Sequence, residues 1–177
     1  MRTSIMLASW VLCSTPILHA QSQPAKAPAA QTAQTALTAD EVQTLNRLHV
    51  SNLREIAAGE LATKRARTEP VKNFGELLIK HHTQADRELQ AFASKAGVKL
   101  AEHKTDLGEL KKTFNPAEFD RYFADQMAKE HREAIALVEA AQAKTSNPEL
   151  KALLDKTRPQ LQQHYEMAVK AIQNNPF

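Results

Sequence analysis

Beyond residue 37, apolar residues recur along the chain at steps of three and four, the spacing of helices that bury one face. The clearest stripe is Val71, Phe74, Leu78, Ala85, Leu89, Phe92 and Ala96, and it predicts a helix from Thr68 to about Ala96. Phe123, Met127, Ala134, Val138 and Ala141 predict another from Asn115 to about Lys144. Leu150, Leu154, Leu161, Ala168 and Ile172 predict a third from Ser146 to about Gln173. The segment from Thr38 to about Arg67 carries a poorer stripe of Val42, Leu45, Leu48 and Ile56.

Local signals mark the ends of these elements. Thr38-Ala39-Asp40-Glu41 has the capping-box pattern, in which the threonine and the glutamate satisfy each other's amides. Pro70, Pro116 and Pro148 sit where a helix begins and a missing amide costs little. Gly97 supplies a C-terminal stop. Pro159 falls inside the last helix and is expected to kink it. Links one–two and three–four are short, whereas Val98 to Phe114 is longer, with room for a short helix over Asp106 to Lys112. This pattern predicts an all-α, four-helix bundle. The middle link either crosses the bundle from end to end, in ferritin-like topology, or loops locally; the sequence leaves both open.

The preceding residues read differently. Arg2 followed by a mostly apolar run from Ile5 to Leu18 has the form of a secretory signal peptide, too short to span a bilayer. Cleavage after Ala20 is expected, although Leu18 stands where a small residue is usual; retention as an anchor is the alternative. Residues 21–37, rich in Ala, Gln, Pro and Thr, cannot bury enough surface to offset their ordering entropy and are expected to form a disordered linker. The domain plan is therefore a signal peptide over 1–20, the linker over 21–37, the bundle over 38–173 and a tail over 174–177. Export to the periplasm or cell envelope follows, with no transmembrane segment once the signal is removed. Cys13 is the sole cysteine and leaves with the signal, so neither a disulfide nor a thiolate metal site is available afterwards.

Composition narrows the classes further. A chain of 177 residues suits one domain. Aromatics make up 5% and glycine occurs four times, too few for a sandwich or barrel. No Gly-rich nucleotide-binding fingerprint occurs. The net charge of +3 is spread along the chain without interleaved aromatics, which argues against nucleic acid as a partner. A homo-oligomer is compatible with the pattern.

Polar residues interrupt the stripes at matching places. At about 100° per residue, His82 falls about 40° from Leu78, and His131 falls about 40° from Met127. His164 lies about 60° from Leu161, at the edge of its stripe. Glu55 lies seven residues after Leu48. One carboxylate and three imidazoles, one from each helix, thus point inward. A lone inward carboxylate is costly unless it is paired or bound to a cation. A neutral imidazole is a good ligand for transition metals. Glu55, His82, His131 and His164 are accordingly the candidate metal ligands, for Zn, Fe, Cu or Mn. The competing reading is a hydrogen-bonded polar core that only specifies packing. His81 reads as a solvated flank, and His49 and His103 as surface or loop residues. Glu60, Asp86 and Glu133 are supporting candidates whose default is an exposed helix charge. Met127 and Met167 lie near His131 and His164, and they read as packing before copper ligands. No nucleophile–base arrangement is recognisable. Ile79, Ala128 and Leu161 stand three residues before the histidines, so the paired Glu-x-x-His of di-iron bundles is missing.

From Asp40 to Ile172 the chain resembles the DUF4142 family of exported bacterial proteins with a ferritin-like helical fold. The resemblance rests on Leu53-Arg54-Glu55-Ile56 with Gly59-Glu60-Leu61-Ala62, and on Val71-Lys72-Asn73-Phe74 leading to His82. It continues in Phe119-Asp120-Arg121-Tyr122 leading to His131, and in Arg158-Pro159-Gln160-Leu161 leading to His164. It implies that Glu55, His82, His131 and His164 occupy the family's recurring polar positions. The family usually shows Asp-His where this chain has His81-His82. The sequence thus points to an exported, non-catalytic bundle that binds a transition metal, in metal handling or envelope stress. A structural or interaction module and a metal-dependent redox enzyme are the rival readings.

Overall fold

A computed structural model describes residues 36–112 and 115–174. The signal peptide, nearly all of the linker and residues 175–177 of the tail lie outside the described residues. Four long helices account for most of what is described: α1 (Ala39–Arg65), α2 (Glu69–Lys95), α3 (Pro116–Lys144) and α4 (Pro148–Gln173). One turn of 3-10 helix, Gly108–Lys111, occupies the middle link where a short helix was expected. No described residue is in a strand.

The helix starts follow from their caps. The Glu41 amide donates to Thr38 Oγ1 at 3.3 Å, and the Thr38 amide donates to Glu41 Oε2 at 2.8 Å, which completes the capping box. Asn115 and Glu118 repeat it at α3. Asn147 accepts from the Glu149 and Leu150 amides at α4, each at 3.0 Å. At the end of α2, Gly97 turns into the left-handed region with φ of 70°, and the Val98 amide reaches back to the Ala93 carbonyl at 2.8 Å. Helix α4 continues through Pro159 without interruption.

The packing order along the helices reveals the topology. One apolar cluster takes Ala58, Ala62, Val71, Phe74, Leu78, Phe119, Phe123, Met127 and Ala168. The other takes Leu45, Leu48, Leu89, Phe92, Ala134, Val138, Leu150, Leu154 and Leu161. Helices α1 and α4 therefore run from the second cluster to the first, and α2 and α3 run from the first to the second. The directions are up, down, down, up, so the link between α2 and α3 must cross the whole bundle, the ferritin-like alternative. Three side chains of α1 hold this crossover along their helix. Asn46 Oδ1 accepts from the Ala101 amide at 2.7 Å, Arg54 donates to the Asp106 carbonyl, and Arg65 donates to the Leu110 and Lys112 carbonyls at 3.1 and 2.8 Å. Leu107 and Leu110 from the crossover are buried in the first cluster.

Two further contacts fix the hairpin of α1 and α2. Gly59 and Gly75 bring the two backbones together, and a Cβ on Gly59 would stand 2.6 Å from the Gly75 carbonyl oxygen. Asp120, fully buried at the start of α3, accepts from the Arg67 and Thr68 amides at 2.9 Å each and from Thr68 Oγ1 at 2.7 Å. Thr68 begins α2 as expected, but its hydroxyl serves Asp120 instead of capping its own helix.

Candidate metal centre

Between the two apolar clusters lies a buried polar layer. Each helix contributes to it where its stripe passes from one cluster to the other: Asn52 and Glu55 from α1, His82 and Asp86 from α2, His131 from α3 and His164 from α4. Glu55, His131 and His164 are each 2% exposed or less. One ligand nitrogen from each of His82, His131 and His164 comes within 4.8 Å of the other two.

The hydrogen bonds fix the tautomers. A carbonyl can only accept, so the Met127 carbonyl, 2.8 Å from His131 Nδ1, places the proton on that nitrogen. In the neutral ring, His131 Nε2 then carries a lone pair. It faces His164 Nδ1 at 3.1 Å, so His164 must donate from Nδ1. His164 Nε2 in turn accepts from His81 Nδ1 at 2.9 Å. On the other side, His82 Nδ1 donates to Asn52 Oδ1 at 2.9 Å, which leaves the lone pair on His82 Nε2. That lone pair has no partner. Among the described residues, the buried side-chain atoms without a hydrogen bond are His82 Nε2 and Glu55 Oε2, both in this layer.

Burial sets the charge state. It is the main cause that pushes His131 down to about 4 and His164 down to about 3. Burial first, and then the neighbouring imidazoles, hold His82 well below the ordinary value. The three rings are neutral at physiological pH, the form that binds metal. Burial, reinforced by the charge of Glu130, pushes Glu55 well above the usual carboxylate range, and the nearby Arg54 opposes this only in part. Glu55 Oε1 stands 3.7 Å from His131 Nδ1. Because His131 is neutral and gives that proton to Met127, the contact is not an ion pair. Glu55 lies beside the Nδ1 edge of His131, whereas the Nε2 edge of that ring faces His164.

The layer is supported from outside by Asp86, one of the supporting candidates, and by Asn52, His49 and Gln90, which the sequence pattern did not assign to it. Asn52 also donates to Asp86 Oδ1 at 3.5 Å, and His49 Nδ1 meets the same oxygen at 2.7 Å. Gln90 donates to Asp86 Oδ2 at 2.6 Å. Asp86 is buried and not an exposed helix charge, and the His49 side chain is only 12% exposed, not at the surface. His81, expected to be a solvated flank, is half-buried against His164. His103, Glu60 and Glu133 are exposed as expected, and Met127 packs in the apolar core. Asn52 was findable: it lies four residues after Leu48, on the continuation of the Leu45–Leu48 stripe.

The donor set suits a borderline or soft cation. Three imidazole nitrogens bound tetrahedrally at ~2.0–2.1 Å stand about 3.3 Å apart, close to the spacing of His131 Nε2 and His164 Nδ1. The orphaned His82 Nε2 is an acceptor that a cation satisfies. The profile of a family described as Domain of unknown function (DUF4142) matches residues 26–171. The chain belongs to the DUF4142 family. No curated protein matches this DUF4142 chain. Among solved structures, it is similar to one described as CopM in the Cu(I)-bound form, with 19% identity, a TM-score of 0.67, and 76% of this chain and 96% of that one covered. CopM in the Ag-bound form is similar at 19% identity and a TM-score of 0.66, with the same coverage. A DUF305 fragment from Deinococcus radiodurans is similar at 14% identity and a TM-score of 0.69, with 77% and 97% covered. At these identities the likeness is one of fold, a helical bundle that this DUF4142 domain shares. Among the described residues, no helix is long and apolar enough to cross a membrane.

Proposed function

We propose that this protein is an exported, non-catalytic metal-binding bundle. His82, His131 and His164 hold one transition-metal ion in the mid-bundle layer, and Glu55, 3.7 Å from His131 Nδ1, stands behind the ring of His131 as the carboxyl that ionises in response to the bound charge. The folded unit runs over 38–173, behind a leader removed after residue 20 and a linker over 21–37. The observation that carries the reading is the lone pair of His82 Nε2, buried without a donor on a ring whose centroid lies 5.5 Å from that of His131 and 5.1 Å from that of His164. Nature rarely leaves such an acceptor unsatisfied. An all-nitrogen set without thiolate suits copper, zinc, iron or nickel, more than manganese. The likeness in fold to CopM, seen with Cu(I), Cu(II) and Ag, places copper and silver first among the ions to test. The role that follows is metal handling in the envelope.

The test compares wild type with a His82/His131/His164→Ala triple variant by elemental analysis and calorimetry. Bound metal in the wild type only, with a melting temperature that rises as Cu(I) or Ag(I) is added, supports the reading. Equal, near-zero metal in both overturns it.

A second reading is favoured by the hydrogen bonds themselves. The runs His82–Asn52–Asp86 and His131–His164–His81 already satisfy most of the layer. Under that reading the layer specifies packing in a structural module. The triple variant then loses thermal stability, and metal leaves the wild type unaffected.

A further inference from the structure

We infer that His81 is the transfer ligand of the centre, the side chain that hands the ion between solvent and the buried histidines. This rests on the metal-binding reading above. The three converging rings are at most 3% exposed, and apolar clusters close the bundle above and below them. A hydrated cation has no path along the bundle axis, because crossing either cluster strips its water with nothing in return. Access has to be lateral, between helices, and has to offer a ligand on the way.

His81 meets both needs. It is next to His82 in sequence but turned a helical step away, so its ring leans across to α4 and remains half-exposed. Its ring centroid is 5.1 Å from that of His164, with planes only 24° apart. The facing nitrogens are 2.9 Å apart, so the rings meet edge to edge, with the lone pair of His164 Nε2 aimed at His81 Nδ1. His164 is thus engaged at both ring nitrogens, Nδ1 toward His131 and Nε2 toward His81. It belongs to the buried set and to the way out at once.

The protons balance. His81 carries its proton on Nδ1, which leaves a lone pair on Nε2 to capture an ion. The ion then takes the place of the proton shared between His81 Nδ1 and His164 Nε2. His81 keeps that proton by carrying it on Nε2, so none is gained or lost. Two imidazoles in line with one ion at ~2.0 Å per bond stand about 4 Å apart, and the half-exposed His81 ring is the one free to open that gap. From there, the ion passes to the inner face of the His164 ring, where His82 Nε2 and His131 Nε2 complete its shell. His164 in turn changes its proton from Nδ1 to Nε2.

The test is stopped-flow loading with Ag(I) or Cu(I), and release to a chelator, in wild type, His81→Phe and His81→Met. Phenylalanine keeps a planar ring in place and offers no lone pair; methionine offers a soft donor. Loading and release are expected to slow by about tenfold or more in His81→Phe, with stoichiometry retained, and to recover in His81→Met. Equal rates in wild type and His81→Phe overturn the transfer role while leaving the metal-binding reading intact. So does a parallel loss of stoichiometry in His81→Phe without recovery in His81→Met. If wild type takes up neither ion, the metal-binding reading itself falls.

Discussion

His164 Nδ1 lies 3.1 Å from His131 Nε2, and the Met127 carbonyl on the far edge of His131 dictates which of the two gives the proton. Burial keeps both rings neutral, and that has a consequence for acid stability. Their folded values, about 4 for His131 and about 3 for His164, lie below the ordinary 6.5, and His82 is lowered too. Below 6.5 the unfolded chain takes up protons that the folded chain refuses, so stability falls with pH. The contribution of these rings is complete above 6.5 and is lost as pH falls toward 3. Glu55 acts in the opposite sense: its value is raised, so its contribution is present below 4.5 and fades as pH rises through its folded value. Urea midpoints of wild type are expected to drop between pH 6.5 and 4 more steeply than those of the triple alanine variant. Parallel curves would contradict the assignment of three neutral rings.

Glu55→Gln separates charge from shape. A buried carboxyl that is hard to ionise gains little from its charge in the metal-free protein. The variant is expected to melt no lower than wild type at pH 8 without metal, yet to bind the ion about tenfold more weakly, since the bound charge loses the carboxyl behind His131. Unchanged affinity by titration calorimetry would remove Glu55 from the centre.

The contact of Gly59 with Gly75 sets the separation of α1 and α2. A methyl group at Gly59 would stand 2.6 Å from a backbone oxygen and 2.9 Å from Ile79 Cγ1. The backbone cannot yield locally, so the helices must part. Gly59→Ala is expected to cost about 1–3 kcal/mol despite the better helix propensity of alanine. Chemical denaturation reads this directly, and a stabilised variant would refute the close approach.

Asp120→Ala strips the buried bend between α1 and α2 of its acceptor. Two amides and one hydroxyl would lose a charged partner together. With hydrogen bonds to charged groups worth about 1.5–3 kcal/mol each and non-additive, a loss of about 3 kcal/mol is expected in urea unfolding. A loss under 1 kcal/mol, on the scale of ordinary surface changes, would show that the bend holds without it.

The sequence disclosed the helices because their caps are local chemistry: Thr38 with Glu41 and Asn115 with Glu118 act within four residues. His82 and His131 were visible because each follows a large apolar residue by one helical turn. Helix α1 was harder to read. Its inward face after Leu48 is Asn52, Glu55, Ala58, Gly59 and Ala62, polar or small residues that can be placed only by their spacing from Leu45 and Leu48. Val42 and Ile56, which looked like core, are only half-buried. The roles of Asp120 and His49 stayed hidden because their partners are 37 or more residues away in the chain, and Asp86, a supporting candidate, could not be matched to His49 for the same reason. Direction was equally illegible, since a long link serves either topology. It is settled in space by Asn46, Arg54 and Arg65 gripping the crossover at three heights along one helix.

The polar belt at mid-height also acts as a ruler. Helices lined only with leucine and alanine can slide past one another by a turn and still find greasy company. Here a slip of one turn in any rod would set an imidazole against hydrocarbon and strand its partner across the gap. The belt therefore keeps the four rods in a single vertical alignment, whatever else it holds.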